Sequence, residues 1–268
     1  MQIKPKKSLG QNFLTDKNMQ QKIIRSCNLT QEDIVLEIGC GRGDFTVYLA
    51  QQARKVYALE IDQRLYPDLE KNLKNYNNCK ILKADILKFD LGELLRSEKI
   101  EQKIKVIGNI PYYISSPIIE YLINQRFKIS EVYITVQKEF ARRVSANPGT
   151  KDFGSFSCFV QYYAQAKSIL EICRQCFHPV PKVDSALLAL KFRDQPPVEV
   201  LNEDAFFKLI RQAFSQRRKT LKNSLSDLAD QESLKKFFIQ EGVSPQIRPE
   251  DLSLEQFASL LKNIQKIS

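Results

Sequence analysis

Three glycines at alternate positions, Gly39, Gly41 and Gly43, stand in LEIGCGRGDF, between an apolar β-rich run and a helical pattern. Glycines in such a turn leave the backbone bare, so that a ligand can approach it closely at the carboxyl end of the strand. Their spacing is GxGxG and not the GxGxxG of dinucleotide binders, which disfavours a nicotinamide-dependent oxidoreductase. Glu60 ends the next apolar run, in VYALEID, where a carboxylate can accept hydrogen bonds from both ribose hydroxyls of an adenosine. Asp85, in LKADIL after a third run, is placed for a side chain to reach the exocyclic amine of a bound adenine. These features at three successive strand ends support one another, because open α/β sheets bind ligands along that edge.

A fourth strand is followed by GNIPYYISSP, residues 108–117, with an N-x-P-Y loop made by Asn109, Pro111 and Tyr112. After a glycine turn, a ribose-binding acid and an adenine-binding acid, this loop resembles that of the S-adenosylmethionine-dependent amino-methyltransferases acting on nucleic acid. The residue types suit the chemistry. An adenine's exocyclic amine is a poor nucleophile because its lone pair is delocalised into the ring. The amide oxygen of Asn109 and the backbone carbonyl of Ile110 could accept its two N–H bonds and favour a pyramidal nitrogen, while Tyr112 stacks on the flipped base.

Further blocks narrow the resemblance. KSLGQNFL at 7–14, QKEFARRV at 137–144, FHPVPKVDSA at 177–186 and QRRKTLKNSL at 216–225 join LEIGCGRG and NIPY, in order, along the whole chain. Together they resemble the small-subunit rRNA adenine dimethyltransferase family. That resemblance implies a Rossmann-like methyltransferase fold with S-adenosylmethionine as cofactor and no metal. It also implies that Asn12 and Leu14 close over the cofactor, joining Gly39, Gly41, Glu60, Asp85 and Asn109. Phe177 is implied as a second wall of the target-base pocket. The implied substrate is a pair of adjacent adenosines in the 3′-terminal hairpin loop of small-subunit rRNA, each dimethylated at N6 within an assembling ribosomal particle. Cys40 stands where the family usually has Pro, and Tyr113 where Asn is frequent; neither removes a functional group from this chemistry.

The elements that must hold these residues are legible as periodicity. Apolar β-rich runs at 34–38, 56–61, 80–83, 105–107 and 132–136 alternate with helical patterns such as 44–53 and 117–125, which predicts an α/β fold with a mostly parallel, buried sheet. Runs at 168–172 and 186–192 have no helical pattern between them and are expected as an antiparallel pair at the sheet edge. The expected organisation is a catalytic domain over 1–193, a linker over 194–200 in DQPPVEV, and a small all-helical RNA- or ribosome-binding domain over 201–268.

Composition bounds the remainder. In 268 residues, 41 Lys and Arg against 31 Asp and Glu leave a net charge of +10, which favours a polyanionic partner. Lys7, Arg142, Arg143, Arg217, Arg218, Lys219 and Lys222 are the candidate RNA-contacting cations, the last four in a run from Phe206 to Leu225 that contains no acid. The six cysteines are too few and scattered for a disulfide framework and suit a cytoplasmic protein. With His178 as the single histidine, imidazole-based acid–base chemistry rests on one residue. No apolar run is long enough for a membrane span, and a monomer is expected. The rival functions are a large-subunit rRNA adenine methyltransferase of the antibiotic-resistance type, and a ribosome-assembly or transcription factor that keeps the fold.

Overall fold

The structure, a computed structural model, describes residues 5–6, 9–216 and 218–264. Its strands are β1 (Phe13–Leu14), β2 (Ile34–Ile38), β3 (Lys55–Glu60), β4 (Cys79–Lys83), β5 (Ile104–Asn109), β6 (Ile129–Gln137), β7 (Ala164–Ile172), β8 (Phe177–His178) and β9 (Ser185–Phe192). The helices are α1 (Lys17–Ser26), α2 (Thr46–Gln52), α3 (Tyr66–Leu73), α4 (Leu91–Ser97), α5 (Ser115–Asn124), α6 (Lys138–Val144), α7 (Ser155–Tyr163), α8 (Glu203–Ala213), α9 (Leu221–Ser224), α10 (Gln231–Glu241) and α11 (Leu254–Asn263).

Seven strands form one sheet in the order β4-β3-β2-β5-β6-β9-β7. β2 runs parallel to β3 and β5, β3 to β4, and β5 to β6, while β9 is antiparallel to β6 with Ser185 opposite Gln137. The central strand β2, IVLEI, is buried along its whole length, as expected for a strand covered on both faces. β5 can lie close against β2 because Gly108, paired with Ile38, has no side chain. A Cβ added at Gly108 would stand 2.7 Å from the Ile38 carbonyl oxygen, inside van der Waals contact. This architecture is the expected one, with β9 and β7 at the edge.

Some elements depart from the sequence reading. The stretch between β7 and β9 holds a short 3₁₀ turn, Arg174–Cys176, and β8, which pairs antiparallel with β1 so that Leu14 faces Phe177 and Phe13 faces His178. Helix α1 has no counterpart among the expected elements; Asp16 caps it by accepting the Met19 N–H at 2.7 Å. The stretch TLKNSLSDL, residues 220–228, carries apolar residues at helical spacing, yet it contributes only the four residues of α9, started by Thr220.

The chain divides into two compact units, Met1–Ala141 with Ala166–Phe192, and Arg142–Gln165 with Arg193–Ser268. Residues 142–165 thus pack with the C-terminal helices, which corrects the expected single boundary after residue 193. The reason is aromatic. Phe159, Tyr162 and Tyr163 of α7 meet Phe207 of α8 at ring-centroid distances of 5.3, 5.3 and 5.8 Å. The Gln161 side chain bridges to the carbonyls of Val144 and Ala146 at 2.9 and 2.8 Å.

Candidate active site

The carboxyl ends of β4, β3, β2 and β5 lie side by side, so the loops after them share one edge of the sheet. After β2, Gly39 and Gly41 adopt φ of +72° and +61°, the left-handed region that side chains resist. A Cβ at Gly41 would approach the Phe13 ring to 3.1 Å, so the turn is both wound and tightly covered. Gly43, with φ of +84°, also serves packing: a Cβ there would come within 2.9 Å of Leu69 of α3.

Glu60, at the end of β3, is 5 % exposed. Its carboxylate accepts from the backbone N–H groups of Gly41 (2.8 Å), Ile61 (3.0 Å) and Asp62 (2.8 Å), tying the glycine turn to the end of the neighbouring strand. Burial raises its pKa and these three backbone donors oppose the rise. Three hydrogen bonds leave one of about four lone-pair positions for a ligand, so Glu60 shapes the site as well as facing it. Asp85 accepts from the Leu87 N–H at 3.0 Å and starts the 3₁₀ turn Ile86–Lys88.

These residues line a cavity of about 190 Å³. Gly39, Gly41, Glu60 and Asp85 are on its wall with Asn109, Ile110, Pro111 and Tyr112, and the segment Leu9–Phe13 crosses it. The Asn109 amide nitrogen donates to the carbonyl of Asn12 at 2.7 Å. A backbone carbonyl only accepts, so this bond fixes which end of the amide is nitrogen, and no donor among the described residues claims the Oδ1. The Tyr112 hydroxyl and Ser185 Oγ are 2.6 Å apart, and burial raises the tyrosine's pKa.

Bonds invisible in the motif pattern hold the crossing segment. Gln11 donates to Asp62 at 2.8 Å and accepts from the Lys6 N–H at 2.8 Å. Arg64 grips the same Asp62 through Nε at 2.9 Å and Nη2 at 2.6 Å, which holds that carboxyl down to about 2. Gln11, Asp62 and Ser185 lie inside or beside the motif blocks, but nothing local in the sequence signals that they meet.

A smaller chamber of about 40 Å³ adjoins the cavity and shares Phe13, Gly39, Gly41 and Asn109 with it. Leu14, Glu37, Arg42 and Thr135 also line it. Leu14 is therefore beside the chamber and Asn12 on the main cavity. Glu37 is 2 % exposed, and its Oε2 has no hydrogen-bond partner. Desolvation pushes its carboxyl up to about 8; the Thr46 hydroxyl, close by but outside hydrogen-bonding geometry, opposes this and the Glu60 carboxylate adds to it.

Phe177 does not reach either space. Its side chain is 1 % exposed and packs in the core with Leu14, Ile24, Cys27 and Leu187, because the β1–β8 pairing turns it inward. The expected wall of a base pocket is in this structure part of the floor beneath β1. His178, its neighbour, is exposed and lines neither space.

Of the candidate RNA-contacting cations, Arg218, Lys219, Lys222, Arg142 and Arg143 are exposed. Arg142 is engaged by Asp152 at 3.0 Å. Lys7 and Arg217 lie outside the described residues. Among the described residues, no group of His, Cys, Asp or Glu is arranged to hold a metal ion, and no helix is long and apolar enough to cross a membrane.

A family model described as ribosomal RNA adenine dimethylase matches residues 2–266. The chain belongs to the ribosomal RNA adenine dimethylase family. Its relatives include two proteins named ribosomal RNA small subunit methyltransferase A. That of Lachnoclostridium phytofermentans is 45% identical over 260 residues, 95% of this chain and 89% of its own. That of Caldanaerobacter subterraneus is 43% identical over 259 residues, 96% of each. Among solved structures, a dimethyladenosine transferase from Plasmodium falciparum matches with a TM-score of 0.74 at 28% identity, covering 92% of this chain and 95% of that one. The 23S rRNA methyltransferase ErmE matches with a TM-score of 0.74 at 26% identity, covering 94% and 99%. Within the dimethylase family this chain is therefore an S-adenosylmethionine-dependent enzyme with a Rossmann-like domain, as its sequence blocks imply.

Proposed function

We propose that this dimethylase converts two adjacent adenosines in the 3′-terminal hairpin loop of small-subunit rRNA to N6,N6-dimethyladenosine, acting on an assembling particle in the cytoplasm as a monomer. The reaction is carried by one observation above the others: the Asn109 amide is locked by the Asn12 carbonyl with its oxygen left to accept. The choice of RNA rests on identity, which is 45% to a protein named for the small subunit and 26% to one named for 23S rRNA.

The residues present suit S-adenosylmethionine. The left-handed Gly39 and Gly41 turn leaves bare backbone, Glu60 retains an acceptor position for a ribose hydroxyl, and Asp85 stands beside Ile86 at the far end of the cavity for the adenine amine. Asn12 lies over this site in the crossing segment, and Leu14 anchors the end of that segment. The bound cofactor supplies an electrophilic methyl on sulfonium, which the target amine takes in an in-line displacement.

The protein's share is placement. Asn109 Oδ1 and the Ile110 carbonyl accept the two N–H bonds of the target amine and draw its lone pair out of the ring. Tyr112, with its hydroxyl held on Ser185, presents a fixed ring face for the base, and Pro111 fixes the loop with φ of −62°. No side-chain base is needed, because the methylated amine is strongly acidic until its lone pair rejoins the ring, and water or a carbonyl suffices to take the proton. The sheet-bearing unit is thus the catalytic part, and the helical unit with Arg218, Lys219 and Lys222 is the RNA-holding part, aided by Arg142, Arg143, Lys7 and Arg217.

The test uses purified protein, labelled S-adenosylmethionine, and small and large ribosomal particles from a strain lacking the dimethylation. Mass mapping should place dimethyladenosine only in the fragment carrying the small-subunit 3′ hairpin. Label in large-subunit RNA, or in neither, defeats the proposal.

A further inference from the structure

The mouth of the main cavity carries an aromatic side chain to which the reaction as described gives no task. Tyr113 follows Tyr112 in the short 3₁₀ turn Tyr112–Ile114, and the two rings have opposite surroundings. Tyr112 is partly buried with its hydroxyl held on Ser185. Tyr113 is 62 % exposed and lines the cavity, and its hydroxyl has no partner among the described residues. The ring is nevertheless fixed in place. The Gly10 backbone, left-handed at φ of +59°, passes so close that a Cβ on it would stand 3.1 Å from Cδ1 and Cε1 of Tyr113 and 3.4 Å from Cβ of Pro111. One edge of the ring thus rests on the bare backbone of the crossing segment, and the remainder is open to solvent. An exposed tyrosine braced in this way fills no core; it offers a flat apolar face beside the residue that takes the target base.

We propose that Tyr113 is a second stacking platform, which holds the adenosine next to the target one while the target base lies on Tyr112. This rests on the proposed function, in which two adjacent adenosines are methylated. Only one of them reacts at a time, because the cavity has a single Asn109 amide to accept the amine. Extruding a base breaks its stack with its neighbour, so the neighbour is left with one bare face. A ring beside the pocket replaces the lost partner. The chemistry of the neighbour narrows how it is held. Before its own methylation its N6 donates two hydrogen bonds, and afterwards none, so a contact to that edge would serve one state and fail in the other. Stacking uses the face of the base and tolerates both. Ile61 and Leu87, the other exposed large apolar side chains on the cavity wall, follow Glu60 and Asp85 in the chain and so belong to the cofactor's side. Tyr113, two residues past the Ile110 carbonyl, is left for the RNA.

The experiment is a cycle that varies protein and RNA together. Small-subunit particles are assembled on rRNA in which one adenosine of the pair, first one and then the other, is replaced by an abasic nucleotide. Methyl transfer from labelled S-adenosylmethionine to the remaining adenosine is measured with wild type, Tyr113→Ala and Tyr113→Phe. On intact particles Tyr113→Ala should lose about 10- to 100-fold in kcat/KM, the worth of one base–aromatic stack, mostly through KM because the stack is held before and during transfer. Tyr113→Phe keeps the ring and should restore the rate, and calorimetry should find cofactor affinity unchanged in both variants. Tyr113 stands on one side of the pocket, so it serves the neighbour on one side only. In one of the two abasic particles wild type should fall to the level of Tyr113→Ala, and the variant should lose nothing more. An alanine effect equally large on intact and on both abasic particles overturns the proposal, as does no effect at all. A loss that follows weakened cofactor binding also overturns it, and makes Tyr113 a brace for the Gly10 segment alone. Wild type that leaves the intact pair unmethylated defeats the proposed function itself and the inference with it.

Discussion

Asn109 uses the two ends of one amide differently: the nitrogen is committed to the Asn12 carbonyl and the oxygen is left for the substrate. Asn109→Ala should therefore lower single-turnover methyl transfer by about 100-fold or more, the usual cost of removing a preorganised polar group that meets the reacting atoms. Cofactor affinity should stay within about tenfold by calorimetry, and near-normal turnover would remove Asn109 from the mechanism. His178 is the residue a search for a general base selects, yet it is exposed and off the cavity wall. His178→Asn should keep single-turnover rates within about tenfold at saturating cofactor, with wild type nearly flat from about pH 6.5 to 8.5. A rate that climbs through the imidazole range in wild type and not in the variant would make the histidine catalytic. Glu37 has a thermodynamic signature of its own. Its carboxyl rises from 4.5 to about 8 on folding, so the folded state binds the extra proton and wild type loses stability as pH climbs between those values. Thermal melts of the empty protein should show Glu37→Gln gaining on wild type between pH 5 and pH 8; a constant difference means that Glu37 titrates normally.

At the scale of elements, the two-residue pairing of β1 with β8 joins positions far apart in the chain and decides the fate of Phe177. Phe177→Ala opens a hole in the core and should cost about 3–5 kcal/mol of stability, the range for a buried aromatic cut to alanine. Denaturant unfolding checks this; a variant as stable as wild type yet inactive would restore Phe177 to the base pocket. The same pairing shows why the sequence is uneven to read. Strand ends carrying Gly39, Glu60, Asp85 and Asn109 are legible because each ends or closely follows an apolar β-rich run, and the alternation of runs and helices orders them along one edge. Nothing periodic marks a two-residue strand, nor the bond from Gln11 to Asp62 across 51 positions. Glu37 does leave a trace, an acid inside the otherwise apolar IVLEI, but its meaning depends on the chamber it faces. The helical pattern over 220–228 misleads because short polar side chains in TLKNSLSD compete for the backbone and favour turns.

For the whole molecule, charge is the property that no single element owns. Net +10 over 268 residues gives a field that attracts polyanions, and each phosphate that the protein neutralises releases counterions. Replacing Arg218, Lys219 and Lys222 together by Gln should weaken binding to the small-subunit particle and flatten the log–log salt dependence. The slope should fall by up to about 0.7–0.9 for each phosphate that the variant leaves unneutralised. An unchanged slope would mean that these three exposed side chains face solvent in the complex.

Gly108 turns sheet spacing into reaction geometry. Its missing side chain lets β5 close on the Ile38 carbonyl, and the next residue on each strand, Gly39 and Asn109, belongs to the site. A methyl group at 108 has 2.7 Å where it needs more, so the two strands must part there. Whatever distance they give is inserted between the cofactor side of the cavity and the amide that steers the target amine. A misplacement of about 1 Å is enough to cost on the order of 100-fold in rate. In a mutational map of this enzyme, Gly108 should therefore behave like a catalytic position although it offers no atom to the chemistry, and Gly108→Ala should yield a folded protein that binds cofactor and RNA and holds them at the wrong separation.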